Sequence, residues 1–124
     1  MTDDSMPGAD LARLVVRALQ DLKAQDVRVL DVSALTSIMD VMVIASGTSN
    51  RHVKALSDSV LEASKAAGIR PIGVEGEATS DWILIDLGDV VVHVMLPRTR
   101  SFYNLEKLWS VGEAPASRVR DEAG

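Results

Sequence analysis

The sequence contains no cysteine, which excludes disulfide bonds and thiol catalysis and fits a reducing compartment. Aromatic residues are also scarce: Trp82, Phe102, Tyr103 and Trp109 are the only four, so the core before them must be aliphatic. No apolar run approaches the roughly 20 residues that span a bilayer. The acidic start, MTDDSMPGAD, lacks the pattern of a signal peptide. We therefore expect a cytoplasmic protein without membrane contact.

Basic residues are missing from one stretch of the chain. The net charge is -5, and positions 75–89 contain no Lys or Arg. The acids of this stretch are Glu75, Glu77, Asp81, Asp86 and Asp89. Phosphate contacts need Lys and Arg, so direct DNA or RNA binding through this region is not expected. A basic protein is the better-matched partner, unless these acids are only a solvated rim.

The 124 residues suffice for one compact domain and are too few for two. Apolar periodicity predicts a helix at 10–22 capped by Asp10, and another at about 49–67. Strands are predicted at 26–33, 40–47 and 69–76, a hairpin at 81–95, and after Pro97 a helix at 101–109 whose Leu105, Leu108 and Trp109 face inward. The order αββαβββα predicts an α/β domain with a mixed sheet of about five strands, covering 9–110. Residues 1–8 and 111–124 are predicted to be disordered.

The segment DWILIDLGDVVVHVM (81–95) reads as a β-hairpin, because Gly88-Asp89 is a two-residue turn between aliphatic runs. Opposed residues share a face. One face is aliphatic, and its members are Ile83, Ile85, Leu87, Val90, Val92 and Val94. The other mixes apolar and polar side chains: Trp82, Leu84, Asp86, Val91, His93 and Met95. The first face is predicted to be core. The second is predicted to be a contact surface, with coverage by a helix as the alternative.

Sites for common chemistry are poorly supported. The only two histidines, His52 and His93, lie on different predicted elements, which disfavours a metal site. The stretch ASGTSN around Ser46 is not a G-x-S-x-G nucleophile motif. The loop SGTSN (46–50) could bind phosphate at a helix N-terminus, but it lacks the P-loop lysine, and a plain helix cap explains it as well.

A nucleotidyltransferase would need two carboxylates one residue apart on a strand to hold Mg²⁺. Here Asp86 and Asp89 lie on either side of a turn, and Glu75 and Glu77 flank Gly76 in a predicted loop. The pair of carboxylates that would bind Mg²⁺ is therefore missing from the strand position where a nucleotidyltransferase needs it. A nucleotide-binding domain that uses the 46–50 loop remains the alternative function.

Three motifs in order resemble the ribosomal silencing factor family, also called the Iojap family. They are DVMVIASGTSNRHVKALSDSV (40–60), GVEGEATSDWILIDLGDVVVHVM (73–95) and RSFYNLEKLW (100–109), within a match over about 9–110. The resemblance implies a nucleotidyltransferase-like fold without catalytic carboxylates, no enzymatic activity and no cofactor or metal. It also implies binding to the large ribosomal subunit through ribosomal protein uL14. Such binding would block joining of the small subunit and repress translation when nutrients are short.

The resemblance also implies the contact residues and a homodimer in the free state. The family's contact surface, carried over to this sequence, comprises Trp82, Leu84, Asp86, His93 and Met95, with Arg100 and Tyr103 as additions. The first five are the face that the hairpin register selects independently. Trp82 would be the anchor, since buried Trp commonly dominates interface energetics. Asp86 would form an ion pair with a basic side chain of the partner protein.

Overall fold

A computed structural model describes residues 7–109, which form five strands and four helices. The elements in chain order are α1 (Gly8–Asp21), β1 (Gln25–Asp31), β2 (Val41–Ser46), α2 (Asn50–Ala66), β3 (Gly73–Glu75), β4 (Trp82–Asp86), β5 (Val90–Met95), α3 (Pro97–Tyr103) and α4 (Leu105–Trp109). Among the helices of this described part, none has both the length and the apolar character to cross a membrane. Of the ends predicted to be disordered, 111–124 lies outside the described residues, and so does 1–8 except for Pro7 and Gly8.

The strands form one sheet in the order β1-β2-β5-β4-β3. β2 and β5 run parallel at its centre, whereas every other neighbouring pair is antiparallel. This arrangement confirms the predicted α/β fold with a mixed sheet of five strands. The predicted third strand is shorter than expected, because only Gly73–Glu75 of the 69–76 stretch pairs with β4.

The hairpin of β4 and β5 has the predicted register. Trp82 lies opposite Met95, Leu84 opposite His93, and Asp86 opposite Val91. Gly88 takes a φ of 95° in the turn, a conformation that glycine adopts without steric cost. The predicted division of side chains between two faces is therefore confirmed.

The aliphatic face of the sheet is the main core. All six of its predicted members are buried: Ile83, Ile85, Leu87, Val90, Val92 and Val94. Helices α1 and α2 cover this face with their apolar stripes, which include Leu11, Val15, Leu19, Val53, Leu56 and Val60. Each such side chain stabilises the fold by roughly 1.5–3 kcal/mol when fully buried. This layer packs against the sheet on the side away from its other face.

The opposite face carries a second, smaller apolar cluster. Its buried members are Leu30, Val32, Met39, Met42, Ile44 and Met95. The half-buried Leu105 and Trp109 of α4 pack against it. This face is thus covered in part by a helix, while Leu84 and Asp86 on β4 remain half-buried at the uncovered part.

The structure corrects the predicted start and end of the first helix. Asp10 is not the cap: α1 begins at Gly8 after Pro7, whose backbone is extended (φ -54°, ψ 146°). Asp10 instead lies in the first turn, where a carboxylate still favours the helix dipole, and it pairs with Arg13. The helix ends at Asp21, so Leu22, the last residue of the predicted helix, follows it and is exposed.

The predicted helix at 101–109 is in fact two short helices. α3 begins earlier, at Pro97, because the fixed φ of proline suits the first turn of a helix. Asn104 then adopts the left-handed conformation (φ 50°) and separates α3 from α4. This break turns α4, so that Leu108 is 67% exposed instead of facing inward as predicted.

Candidate functional site

Trp82 is the centre of the half-covered face. Its indole Nε1-H donates a hydrogen bond to Nδ1 of His93, at 2.9 Å between the two nitrogens. The ring of Tyr103 packs on it, with ring centroids 4.8 Å apart and planes inclined by 47°. Trp82 is half-buried between these two neighbours. The sheet and α3 together therefore fix its orientation.

His93 lies beneath this surface. Only 5% of the residue is exposed, and burial lowers the pKa of its imidazole from 6.5 to about 4. The ring is therefore neutral at pH 7. Because Nδ1 accepts the hydrogen bond from the indole N-H, it carries no proton, and the proton of the neutral ring lies on Nε2.

The acidic part of the face lies on β4 and β3. Asp86 is half-buried, and its Oδ1 accepts a hydrogen bond from the backbone N-H of Gly88 at 2.9 Å. Within residues 7–109, no Lys or Arg forms an ion pair with it. Gly73 lies directly opposite Asp86 and adds no side chain there, while the exposed Glu75 lies opposite Leu84. The carboxylates of Asp86 and Glu75 and the apolar side chain of Leu84 therefore form a surface that is negatively charged and partly apolar.

Arg100 is buried and holds α3 and α4 to the sheet. Its Nη2 and Nε donate to the two carboxylate oxygens of Glu106, at 2.8 and 3.1 Å, and its Nη1 donates to Ser46 Oγ at 2.9 Å. Arg28 on β1 adds an ion pair to Glu106 at 3.5 Å. The hydrogen bonds from Arg100 keep the pKa of Glu106 below its usual value. This Arg100 clamp, comprising Arg100, Glu106, Ser46 and Arg28, joins three parts of the chain.

The predicted contact residues thus divide into two groups. Trp82, Leu84 and Asp86 share the face and are half-buried, and Tyr103 joins them through α3 while more than half exposed. The other three, His93, Met95 and Arg100, are buried in the described chain. The single chain therefore does not present these three for direct contact; they support the surface from below.

Sequence reasoning missed three members of the clamp, Ser46, Glu106 and Arg28, and also the exposed aromatic ring of Phe102. Arg100 and Glu106 are six positions apart, a spacing that does not bring side chains together on one continuous helix. The left-handed Asn104 is what makes their pairing possible. Phe102 is 80% exposed and packs edge-on against Tyr103, with ring centroids 5.0 Å apart. Its position next to Tyr103 was the available signal.

The 46–50 loop acts as a helix cap. Ser49 Oγ accepts from the backbone N-H of His52 at 3.1 Å, and the backbone N-H of Thr48 donates to His52 Nδ1 at 2.9 Å. Asn50 Nδ2 donates to the carbonyl oxygen of Thr79 at 2.9 Å. These groups are therefore engaged within the chain, which favours the cap over a phosphate site. Across residues 7–109, no three His, Cys, Asp or Glu side chains are grouped to hold a metal ion.

These features define a small single-domain α/β protein in which one sheet face is packed by helices and the other is half-covered, aromatic and acidic. Residues 5–123 match the profile of the family described as "Ribosomal silencing factor during starvation". The chain belongs to this family, as the resemblance of its three motifs predicted.

Individual relatives agree with this assignment. A Chromobacterium violaceum protein named "Ribosomal silencing factor RsfS" is 46% identical over 110 residues, which cover 89% of each chain. A Haemophilus influenzae protein of the same name is 42% identical, over 81% of this chain and 98% of its own. A crystal structure of a Chromobacterium violaceum protein aligns with a TM-score of 0.83 at 47% identity, covering 85% of this chain and 88% of that one. The relatives' name describes a regulatory role rather than an enzymatic one.

Proposed function

We propose that this protein is a translational repressor that binds the large ribosomal subunit through ribosomal protein uL14. Bound there, it blocks joining of the small subunit by steric exclusion and lowers translation when nutrients are limiting. Membership of the ribosomal silencing factor family supports this role. The proposal places the protein in the cytoplasm, assigns the silencing domain to residues 9–110, and requires no cofactor and no catalysis.

The half-covered sheet face is the observation that carries the proposal. Aromatic side chains are enriched at protein-binding surfaces, and here an aromatic ring is held in a defined orientation next to apolar side chains. Trp82 provides the anchor, Leu84 adds apolar area, and Asp86 is a carboxylate without an ion-pair partner in the described chain. A protein that contacts RNA phosphates does so through Lys and Arg side chains. An acidic face therefore matches such a partner in charge.

Each predicted contact residue has a role that its position suggests. Trp82, Leu84, Asp86 and Tyr103 would touch the partner. The buried His93, Met95 and Arg100 would act from beneath by holding these four in place. Side chains that are already held in place lose little conformational entropy on binding. Less of the interaction free energy is then offset, and the affinity is higher.

We also propose that the free chain forms a homodimer through the same face. An exposed surface that combines Trp82 with neighbouring apolar groups suits an isologous contact. If one face serves both purposes, self-association and ribosome binding exclude each other.

Replacing Asp86 by Asn tests the proposed function. Asn keeps an oxygen that can accept the Gly88 N-H but removes the charge, so the turn should survive. We expect the affinity for purified large ribosomal subunits, measured by co-sedimentation, to fall about tenfold through loss of an ion pair. Wild-type protein in excess should also reduce association of large with small subunits.

The matched control is Asp21→Asn, which removes the same charge from the exposed end of α1 on the opposite layer. This variant should bind like the wild type. Equal losses in both variants would mean that only the net charge matters. A wild-type chain that stays at the top of the gradient would refute the proposed function altogether.

A further inference from the structure

The hydrogen bond between Trp82 and His93 links the exposed face to the buried layer beneath it. Trp82 lies opposite Met95, and His93 lies opposite Leu84, so the two rings are diagonal neighbours on one face of the hairpin. Their ring centroids are 5.9 Å apart with planes inclined by 45°, and the indole donor is 2.9 Å from the imidazole acceptor. This is a directed contact rather than ring stacking alone.

His93 is well placed to hold another side chain. It lies on β5 between β2 and β4, with Ile44 and Leu84 as its cross-strand partners. Being buried, it has little room to change rotamer. Its neutral state keeps the lone pair of Nδ1 available at neutral pH.

Trp82 needs such a support. Its ring is covered by Tyr103 on one side, but Tyr103 is itself exposed and belongs to a short helix. Trp82 also packs against the apolar cluster that contains Met95, but apolar packing has no preferred direction. The hydrogen bond to His93 is the directional contact that ties the indole N-H to the sheet. An indole N-H without an acceptor would turn toward water, because a polar group next to an apolar cluster is stable only when it is hydrogen-bonded.

We infer that His93 is a positioning residue for the half-covered face: its Nδ1 holds the Trp82 indole in the orientation in which a protein partner binds it. This inference rests on the proposed function, since it assumes that Trp82 is the anchor. It assigns His93 a part in binding without direct contact. Preorganisation of an anchor raises affinity because less freedom is lost on association.

Two substitutions at position 93 separate hydrogen bonding from packing. In His93→Asn, the side-chain Oδ1 is bonded to Cγ, as Nδ1 is in His. It can therefore accept the same hydrogen bond from the Trp82 indole N-H. His93→Leu fills similar space without an acceptor. We expect His93→Leu to bind large ribosomal subunits about tenfold more weakly in co-sedimentation, and His93→Asn to restore most of that loss.

The indole itself gives a readout that does not depend on the ribosome. In ¹H-¹⁵N NMR spectra of the full chain, the Trp82 indole signal, assigned by its loss in Trp82→Phe, should be shifted downfield and protected from exchange. His93→Leu should abolish the shift and the protection, and His93→Asn should retain them. Replacing Trp82 by benzothienylalanine removes the N-H while keeping the ring shape, and should weaken binding as His93→Leu does. This variant leaves the buried His93 unchanged, which keeps the test decisive if His93→Leu does not fold.

The possible failures are distinguishable. An unchanged indole signal in folded His93→Leu, or full affinity in the benzothienylalanine variant, would overturn the positioning role. Equal losses of affinity in His93→Asn and His93→Leu, with the indole signal intact in the former, would also overturn it. Failure of the wild type to bind large subunits would overturn the proposed function instead, and the inference about binding would fall with it.

Discussion

His93 shows how the surroundings of one residue change its role. An isolated histidine titrates near neutral pH and would make a binding face pH-sensitive. Here burial lowers the pKa of the imidazole to about 4, and the ring accepts a hydrogen bond instead of carrying a charge. Its neutral form should therefore persist throughout the physiological range.

The lowered pKa of His93 predicts a pH dependence of folding stability. The unfolded chain binds the proton with the ordinary pKa of 6.5 and the folded chain only near 4, so protonation favours unfolding. The free energy of unfolding should be unaffected by His93 above pH 6.5 and should fall as the pH decreases toward 4. The full shift corresponds to roughly 3 kcal/mol.

Urea denaturation at a series of pH values checks this prediction, with His93→Asn as the comparison. The useful window lies between pH 6.5 and 4.5, because Glu106, whose folded pKa lies below its ordinary 4.5, loses its stabilising contribution only at lower pH. The wild type should lose stability across this window, and His93→Asn should lose less. Parallel curves for the two proteins would contradict the prediction.

At the level of elements, α3 and α4 act as one segment that the Arg100 clamp holds against the sheet. Arg100 connects this segment to Ser46 at the end of β2, and Arg28 connects it to β1 through Glu106. The segment carries Tyr103, which packs on Trp82. The clamp thus fixes one border of the half-covered face.

Glu106→Gln should weaken this segment. The substitution removes the charge that Arg100 pairs with, and both side chains are largely buried, at 10% and 20% exposed. We expect a loss of about 2 kcal/mol in the free energy of unfolding, measured by urea denaturation. Backbone hydrogen exchange should also become faster in α3 and α4.

Asp58→Asn is the control for this change. Lys54 and Asp58 form an ion pair on α2 at 2.8 Å, but both side chains are more than 40% exposed. Water screens an exposed pair of this kind, so it contributes little to stability. If both substitutions cost the same, the clamp would be no more than a surface ion pair.

On the scale of the whole sheet, residues 7–109 cover its two faces unequally. α1 and α2 pack over the aliphatic face, whereas the short α3 and α4 cover only part of the other. Exposed Tyr103 packs on Trp82 and exposed Phe102 packs on Tyr103, so the two rings extend the apolar surface next to Trp82. An unequally covered sheet of this kind supports the proposal that a second chain, or the ribosome, completes the missing layer.

Trp82→Ala tests whether the homodimer and the ribosome compete for this face. Loss of the anchor should weaken self-association, measured by analytical ultracentrifugation, and co-sedimentation with large subunits, each by tenfold or more because anchors often contribute about 2 kcal/mol. For the wild type, the apparent affinity for the subunit should fall as the chain concentration rises.

The control for this variant is Leu22→Ala, which truncates an exposed apolar side chain next to α1, on the other layer. It should leave both associations unchanged. An apparent affinity that does not vary with chain concentration would argue against a shared face, as would an undiminished dimer in Trp82→Ala.

Much of the fold could be predicted because it depends on short-range patterns. Alternation of apolar residues around Gly88-Asp89 was sufficient for the register of β4 and β5, since a two-residue turn allows few pairings. Helix boundaries were less predictable: Asn104 breaks the last helix although no glycine or proline marks the site. An asparagine tolerates the left-handed conformation, but tertiary contacts decide whether it adopts that conformation.

The sequence alone determined which residues share each face of the sheet, and its motifs determined the family. Both are encoded by neighbours a few positions apart or by residue identity itself. The tertiary structure alone decided that His93, Met95 and Arg100 are buried while Trp82, Leu84 and Asp86 remain half-exposed. Arg100 and Ser46, for example, are 54 positions apart, and no local pattern reports their contact. Burial of a face depends on which distant segment displaces water from it, and that is a property of the folded chain as a whole.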